Sequence, residues 1–362
     1  MFNIRKQLSK LYTSSVLGSL SLTGAWVTIL WARGFSLVEI GIAETAYHIT
    51  SIIFEIPSGV LADVFGRKKM LTVSCILRML ADIAMIFSVN LFTVCLAISL
   101  YALCDNFASG TGDALAYDSM KLAGAESGFE KYSSNQLVIY RVCSGISTLC
   151  AGLALTLGYR LAYAAGLVTG VIQLAVLSSL QEVCSVEKGN GKSTRQLIMD
   201  CFRESLVFLR EVRKVMGLMF CNSFIGAVDI LLLFYLQATL PQKGMPVWIL
   251  GPALLFMELG GIVGSKLILR FPEIKCRRMF IIAGMLVTAG ILAEHSSLYP
   301  VMALGGFIAA MGDDAMQVRT NAVLQEMFPS EQRATLTSFE SFSFSVIMIF
   351  LSPLAGWFFT VW

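Results

Sequence analysis

Gly59-Val60-Leu61-Ala62-Asp63-Val64-Phe65-Gly66-Arg67-Lys68-Lys69 closes one long apolar run and opens the next. Each residue type suits a tight turn at a membrane surface. Gly59 lets two helices approach closely, Asp63 sits at a helix end and Gly66 turns the chain. The basic triplet that follows anchors to the phosphate-rich interface.

Outward from this turn the apolar runs repeat along the whole chain. Leu11–Ala32 holds no charge, and Leu91–Leu103 and Ser144–Leu157 read the same way. Runs of about 20 residues cross the ~30 Å hydrocarbon layer as helices, which satisfy their own backbone there. Of the 362 residues 56% are apolar and 14% charged, where a soluble domain carries roughly 25% charged residues. The expectation is an all-α membrane protein with about eleven spans, near 11–32, 37–62, 70–88, 91–120, 133–157, 160–180, 215–238, 247–269, 279–296, 299–327 and 334–361. The first is too long for a signal-peptide core and no small-residue cleavage site closes it, so it is expected to stay.

One polar stretch interrupts the rhythm. Residues 181–214 form a linker with Gly189-Asn190-Gly191-Lys192 at its middle and an amphipathic segment, 196–212, expected to lie along the membrane surface. It separates an N-terminal bundle (1–180, six spans) from a C-terminal one (215–362, five spans). Numbering the loops alternately puts 21 of the 27 Lys and Arg residues on the side of the N-terminus and the linker. Arg33, Arg160 and Lys243 take the other side, and Arg78, Arg141 and Arg319 fall inside spans. The N-terminus and linker are therefore expected to be cytoplasmic, in a bacterial inner membrane. The net charge of +3 reflects this topology and points to no nucleic acid. The nine Cys include no CxxC pair, so neither a metal site nor a disulfide framework is expected.

The two halves echo each other. Gly112-Asp113-Ala114 has a counterpart in Gly312-Asp313-Asp314, 200 positions later, and Phe54-Glu55 in Met257-Glu258. Two matches in order, at nearly one offset, support a duplicated bundle with sites at the repeat interface.

The 59–69 turn resembles the signature loop of the major facilitator superfamily, Gly-x-x-x-Asp-(Arg/Lys)-x-Gly-(Arg/Lys)-(Arg/Lys), in its expected place between the second and third spans. Val64 stands where the family usually has a base. A degraded second copy runs from Gly264 to Arg278, and Arg333-Ala334-Thr335 resembles the family's entry to its eleventh helix. The resemblance implies two pseudo-symmetric six-helix bundles, a central cavity, alternating access and a monomer. It also implies a conformational latch of Gly59, Asp63, Gly66, Arg67, Lys68, Asp118 and Arg333, with Arg67 pairing Asp118 and Asp63 meeting the eleventh helix near Arg333. The family has twelve spans, so with Trp362 at the end of the eleventh the twelfth helix is expected to be missing.

Ionisable residues inside spans mark pathways or paired networks. Depth along the helices, at about 1.5 Å per residue, suggests three pairs: Asp113 with Arg141, Glu55 with Arg78, and Arg319 with Glu340. Each pair has a plain reading, in which it only neutralises charge and holds helices together. Asp82, Asp105, Asp229, Glu258 and Asp313 have no obvious base. At mid-depth they are candidates to take up and release a proton, as is Glu55 before Pro57. Glu44, His48 and Glu55 share a helix face, where His48 reads first as a satisfied interior histidine and second as a relay.

No nucleophile–base set, phosphate loop or metal-ligand spacing is present, so no enzyme and no cofactor is expected, and energy should come from an ion gradient. The leading expectation is proton-coupled efflux of amphipathic or drug-like compounds by an antiporter. The excess of acids supports it, and Glu55-Ile56-Pro57-Ser58-Gly59 resembles bacterial efflux members of the family. The fifth span lacks that group's Gly-Pro signature. Two alternatives stay open: proton-coupled uptake of a small metabolite, with ligands such as Asn106, Gln136 and Gln317, and a truncated carrier that does not transport.

Overall fold

The structure, a computed structural model, describes residues 3–183, 213–271, 273–327 and 333–361. Among the described residues the regular elements are helical. They are α1 (Ile4–Ser19), α2 (Trp26–Ala32), α3 (Leu37–Phe65), α4 (Arg67–Phe87), α5 (Leu91–Ala108), α6 (Thr111–Leu122), α7 (Phe129–Leu149), α8 (Ala151–Leu157), α9 (Tyr159–Ser178), α10 (Arg213–Gln242), α11 (Val247–Leu267), α12 (Cys276–Glu294), α13 (Tyr299–Met327) and α14 (Arg333–Val361), with two short 3₁₀ turns. Large apolar side chains such as Phe87, Phe92 and Trp248 stand exposed, as expected for surfaces that face lipid rather than water.

Eight spans are long and apolar enough to cross a bilayer, or nine if the bent pair α7–α8 is one span, so the expected eleven is not reached on that measure. Two runs account for the difference. The stretch 11–32 divides at 20–25, where Ser21 and Thr23 hydroxyls bond each other at 2.7 Å and Ser147 Oγ accepts from the Ser21 amide at 3.0 Å. Small hydroxyl residues and Gly24 offer the backbone these alternatives to a helix, and a hydropathy sum does not register them. The other run, α13, is one continuous helix of 29 residues, but Asp313 and Asp314 lower its hydropathy. The span expected at 91–120 is also broken, at Ser109-Gly110, where Gly110 takes φ +66°.

The described chain forms two compact units. The first takes in Met1–Gly24, Ile49–Ser147 and Leu157–Leu206, and the second Ala25–His48, Thr148–Thr156 and Val207–Trp362. These units do not follow the order of the chain. In the first, Leu11, Cys75, Leu115, Met120, Tyr132 and Leu177 form a shared core. In the second, α10, α11, α12 and α13 pack around Leu232, Leu236, Leu250, Met257, Val287 and Met302.

Small residues bring helices together in both units. Gly260 and Gly264 of α11 lie against the backbone of Phe307 and Met311 in α13, so closely that a Cβ has no room. This is the small-xxx-small contact of membrane helices, where van der Waals packing drives association because lipid is as apolar as leucine.

Candidate functional site

The turn quoted above places Arg67 at the start of α4, from which its guanidinium reaches across to α6. There it forms an ion pair with the buried Asp118 and donates to the Ala114 carbonyl at 2.7 Å. Gly66, at φ +102°, lies against the Glu182 carboxylate, which accepts from the Lys68 amide at 3.1 Å and the Lys69 amide at 3.4 Å. Glu182 thus caps the first turn of α4, satisfying amides that have no partner within the helix. Lys68 Nζ returns to the Ser178 carbonyl at 2.8 Å, where the carboxyl end of α9 favours a cation. Asp63, Arg333 and Glu340, three residues expected to pair, have side chains outside the described residues, and so does Gly59.

The described residues show neither the Glu55–Arg78 nor the Asp113–Arg141 pair, and the Arg319–Glu340 pair involves a side chain outside them. Arg78 does not turn to Glu55. Its Nη1 donates to the carbonyls of Gly18 (2.7 Å) and Leu17 (3.3 Å), where the break after α1 leaves acceptors without helical partners. Arg141 is exposed and makes no ion pair with Asp113. Arg319 donates through Nε to the Ile274 carbonyl at 2.9 Å. Axial depth fixes how far along a helix a charge lies, but not which way it faces. Unwound backbone also competes for the same donors.

The first unit holds a cavity of about 340 Å³, lined among others by Ser14, Arg78, Asp105, Asp113, Gln136, Tyr140 and Gln173. The end of α1 lines it through Gly18 and Ser19, and the break in the fourth span opens onto it through Gly110 and Gly112. Irregular backbone at membrane depth is tolerated where it lines such a cavity. Asp105 and Asp113 are exposed in its wall, whereas Asp82, one turn beyond Arg78 on α4, is buried and accepts from the Tyr101 hydroxyl. Gln173 went unnoticed in the sequence. Its signal was present: a lone amide in the otherwise apolar run of α9.

The second unit encloses two neighbouring acids. Asp229 on α10 and Asp313 on α13 are 4% and 3% exposed, and Asp229 is within electrostatic range of Asp313 and Asp314. Gln317 donates to Asp313 Oδ2 at 2.7 Å, while Asp313 Oδ1 and Asp229 Oδ1 have no hydrogen-bond partner. Gly226 lies beside this arrangement, where a Cβ would stand in ordinary contact with Asp313 and Gln317 at 3.4 Å. Glu258 is exposed and accepts from Thr148 at 2.9 Å. Buried His48 lies between Glu44 (3.2 Å) and the Ser345 hydroxyl (3.1 Å), tying α3 to α14. Glu55, in the part of α3 that belongs to the first unit, is half-buried.

These arrangements sit in a chain with clear relatives. The family model described as Major Facilitator Superfamily matches residues 11–297. The uncharacterised MFS-type transporter YxaM of Bacillus subtilis (strain 168) is 23% identical over 343 residues, covering 92% of this chain and 84% of that one. Among solved structures, a mutant of the nucleoside transporter NupG superposes with TM-score 0.74 at 14% identity, over 97% of this chain and 90% of its own. A D-xylose-proton symporter does so with TM-score 0.61 at 12% identity, over 98% and 87%. At these identities the structural likeness speaks for the fold alone.

Proposed function

The chain belongs to the major facilitator superfamily, and from that premise we propose that this multi-pass membrane transporter exports small organic solutes in exchange for protons. One observation carries the coupling: Asp229 and Asp313 lie buried near each other, each with a carboxylate oxygen that has no hydrogen-bond partner. Two neighbouring carboxylates cannot both stay ionised cheaply in such surroundings, and a proton is the smallest species that neutralises one. The solute occupies the 340 Å³ cavity of the first unit, near the lower end of the usual range for ligand pockets.

The direction follows from competition. A carboxylate such as Asp113 holds either a proton or a positively charged ligand, so the two exclude each other. An inward proton gradient then drives the ligand outward. The N-terminus and the 181–214 linker take the cytoplasmic side of a bacterial inner membrane, in keeping with the Lys and Arg distribution. The Arg67–Asp118 pair acts as part of the conformational latch, together with Asp63 and Arg333. The second reading is proton-coupled uptake of a polar metabolite, favoured by the amides of Gln136 and Gln173 in the cavity wall.

The test uses everted vesicles with an imposed proton gradient, comparing wild type with Asp229→Asn and Asp313→Asn. Export predicts that added solute releases protons from the energised lumen and that both variants lose this signal. Proton movement in the same direction as the solute replaces export by uptake. Solute flux with no proton flux at all removes the coupling.

A further inference from the structure

The end of the first unit that carries the start of α4 gathers cations. α9 finishes there, and its last carbonyls hold two ammonium groups. Lys68 Nζ donates to the Ser178 carbonyl at 2.8 Å and Lys10 Nζ to the Ser179 carbonyl at 2.5 Å. An ammonium has three donors, so each of these keeps N–H groups for a further acceptor. Gln7 fastens α1 to the same place, its buried side chain exchanging two bonds with the Gln181 backbone at 2.8 and 3.1 Å. Lys6 precedes Lys10 by one turn on the same face of α1, and Lys69 follows Lys68; both are exposed. The Glu182 carboxylate beside them is taken up by the Lys68 and Lys69 amides.

These cations stand at the foot of an apolar surface. Lys69, Val73, Ile76, Leu80, Ile83 and Phe87 recur at helical spacing along α4 and are all exposed, forming one outward stripe. On α9, Val168, Val171 and Ile172 are exposed in the same way. The two helices touch along their inner sides, where Gly170 lies against Met79 and the Cys75 thiol donates to the Gly170 carbonyl at 3.4 Å. Both stripes therefore flank one line of contact and lead to the same lysines.

A free phosphate would use only the cations of this surface. A zwitterionic lipid would bring a cation of its own against Lys10 and Lys68. A phospholipid of net negative charge uses both parts. Its phosphodiester oxygens accept from the ammonium groups, while its acyl chains lie along the apolar stripes. Lysine stems suit such a place, since they cover apolar surface and still hold the charge at headgroup level.

We propose that this corner binds one anionic phospholipid, with its phosphate held by Lys10, Lys68 and Lys69 and its acyl chains on the exposed faces of α4 and α9. The bound lipid ties the ends of α1, α4 and α9 together.

The test is native mass spectrometry of the purified full-length protein, delipidated in detergent and offered equimolar phosphatidylglycerol and phosphatidylcholine. Wild type should retain phosphatidylglycerol in preference to phosphatidylcholine by about tenfold. The double variant Lys10→Gln with Lys69→Gln keeps a donor for the Ser179 carbonyl but removes two charges, and should lose most of that preference. Lys69→Gln alone, at an exposed side chain, should lose part of it, and Lys69→Arg should retain it. Thermal unfolding in lipid-free detergent checks that each variant is folded. Arg160→Gln removes an exposed cation from the opposite end of α9 and should leave the preference at its wild-type value. Glycerophosphate, a headgroup without chains, should not displace the lipid. Equal retention of both lipids by wild type overturns the proposal, as does a folded double variant with an unchanged preference. An equal loss in Arg160→Gln means diffuse attraction to surface charge and removes the site. Displacement by an equal concentration of glycerophosphate makes the cluster a phosphate site and removes the lipid.

Discussion

Asp113 and Asp313 occupy matching places in a repeated Gly-Asp motif, yet their surroundings are opposite. Asp113 follows the break at Gly110 and stands exposed in the wall of a cavity. Asp313 lies in the middle of an unbroken helix, 3% exposed, with Gln317 on one oxygen and no hydrogen-bond partner on the other. The glycines beside them differ in the same sense. Nothing lies near a Cβ added to Gly112, whereas one added to Gly312 meets Leu286 at 2.9 Å and the Ala283 backbone at 3.4 Å. One motif thus lies open in a cavity wall, and its twin is enclosed by packing. What separates them is the backbone and the packing around it, since the motif itself is shared.

The largest effect that would break this contrast is expected at the closed site. Asp313→Asn keeps the shape and the partner Gln317 but removes the titrating proton. Proton-driven transport should fall by about tenfold or more, with solute binding in the first unit retained. If Asp313→Asn instead leaves coupled transport intact while Asp113→Asn abolishes it, the two roles are reversed.

The next effect tests whether the first unit, which already buries Asp82 against the Tyr101 hydroxyl, tolerates an unbalanced acid at position 118. Asp118 is buried, and Arg67 neutralises it. Arg67→Gln leaves the carboxylate without its base, and removing one partner of a buried pair costs about 3 kcal/mol or more. Thermal unfolding in detergent should show this loss, and Asp118→Asn added on top should recover much of it. A single variant as stable as wild type would mean that this unit, too, accommodates a lone buried carboxylate.

Much of the architecture was legible because apolar length and charge asymmetry follow directly from what a bilayer demands. The turn at 59–69 was legible through its resemblance to a family signature, which implied the Arg67–Asp118 pair that the structure shows. Other features were hidden in ways that have physical causes. Leu20 and Leu22 mask the helix break between α1 and α2, because hydropathy cannot see that Ser21, Thr23 and Gly24 favour local hydrogen bonds. The carbonyls left at that break then draw Arg78 away from Glu55, a competition between backbone and side chain that spacing alone does not reveal. Likewise the acids lacking a base could be named in advance. Which are open and which shut depends on helix rotation, and a count of residues from the helix end carries no information about rotation.

The smallest predicted effect compares the two glycines directly. Gly112→Ala places a methyl group in open space within the first turn of α6, where alanine is the better helix former by up to about 1 kcal/mol. The variant should be as stable as wild type or slightly more so. Gly312→Ala forces its methyl group into Leu286 and the backbone at Ala283, and overpacking of this kind costs roughly 1–3 kcal/mol. The pair should therefore shift the unfolding temperature in opposite directions, although the chemical change is identical. Transport gives a second readout. Gly312→Ala moves the helix that carries Asp313 against α12 and should weaken coupling even in the fraction that remains folded. Equal shifts in both variants would mean that the two motifs share one packing environment, and the division into an open and a closed site would lose its structural basis.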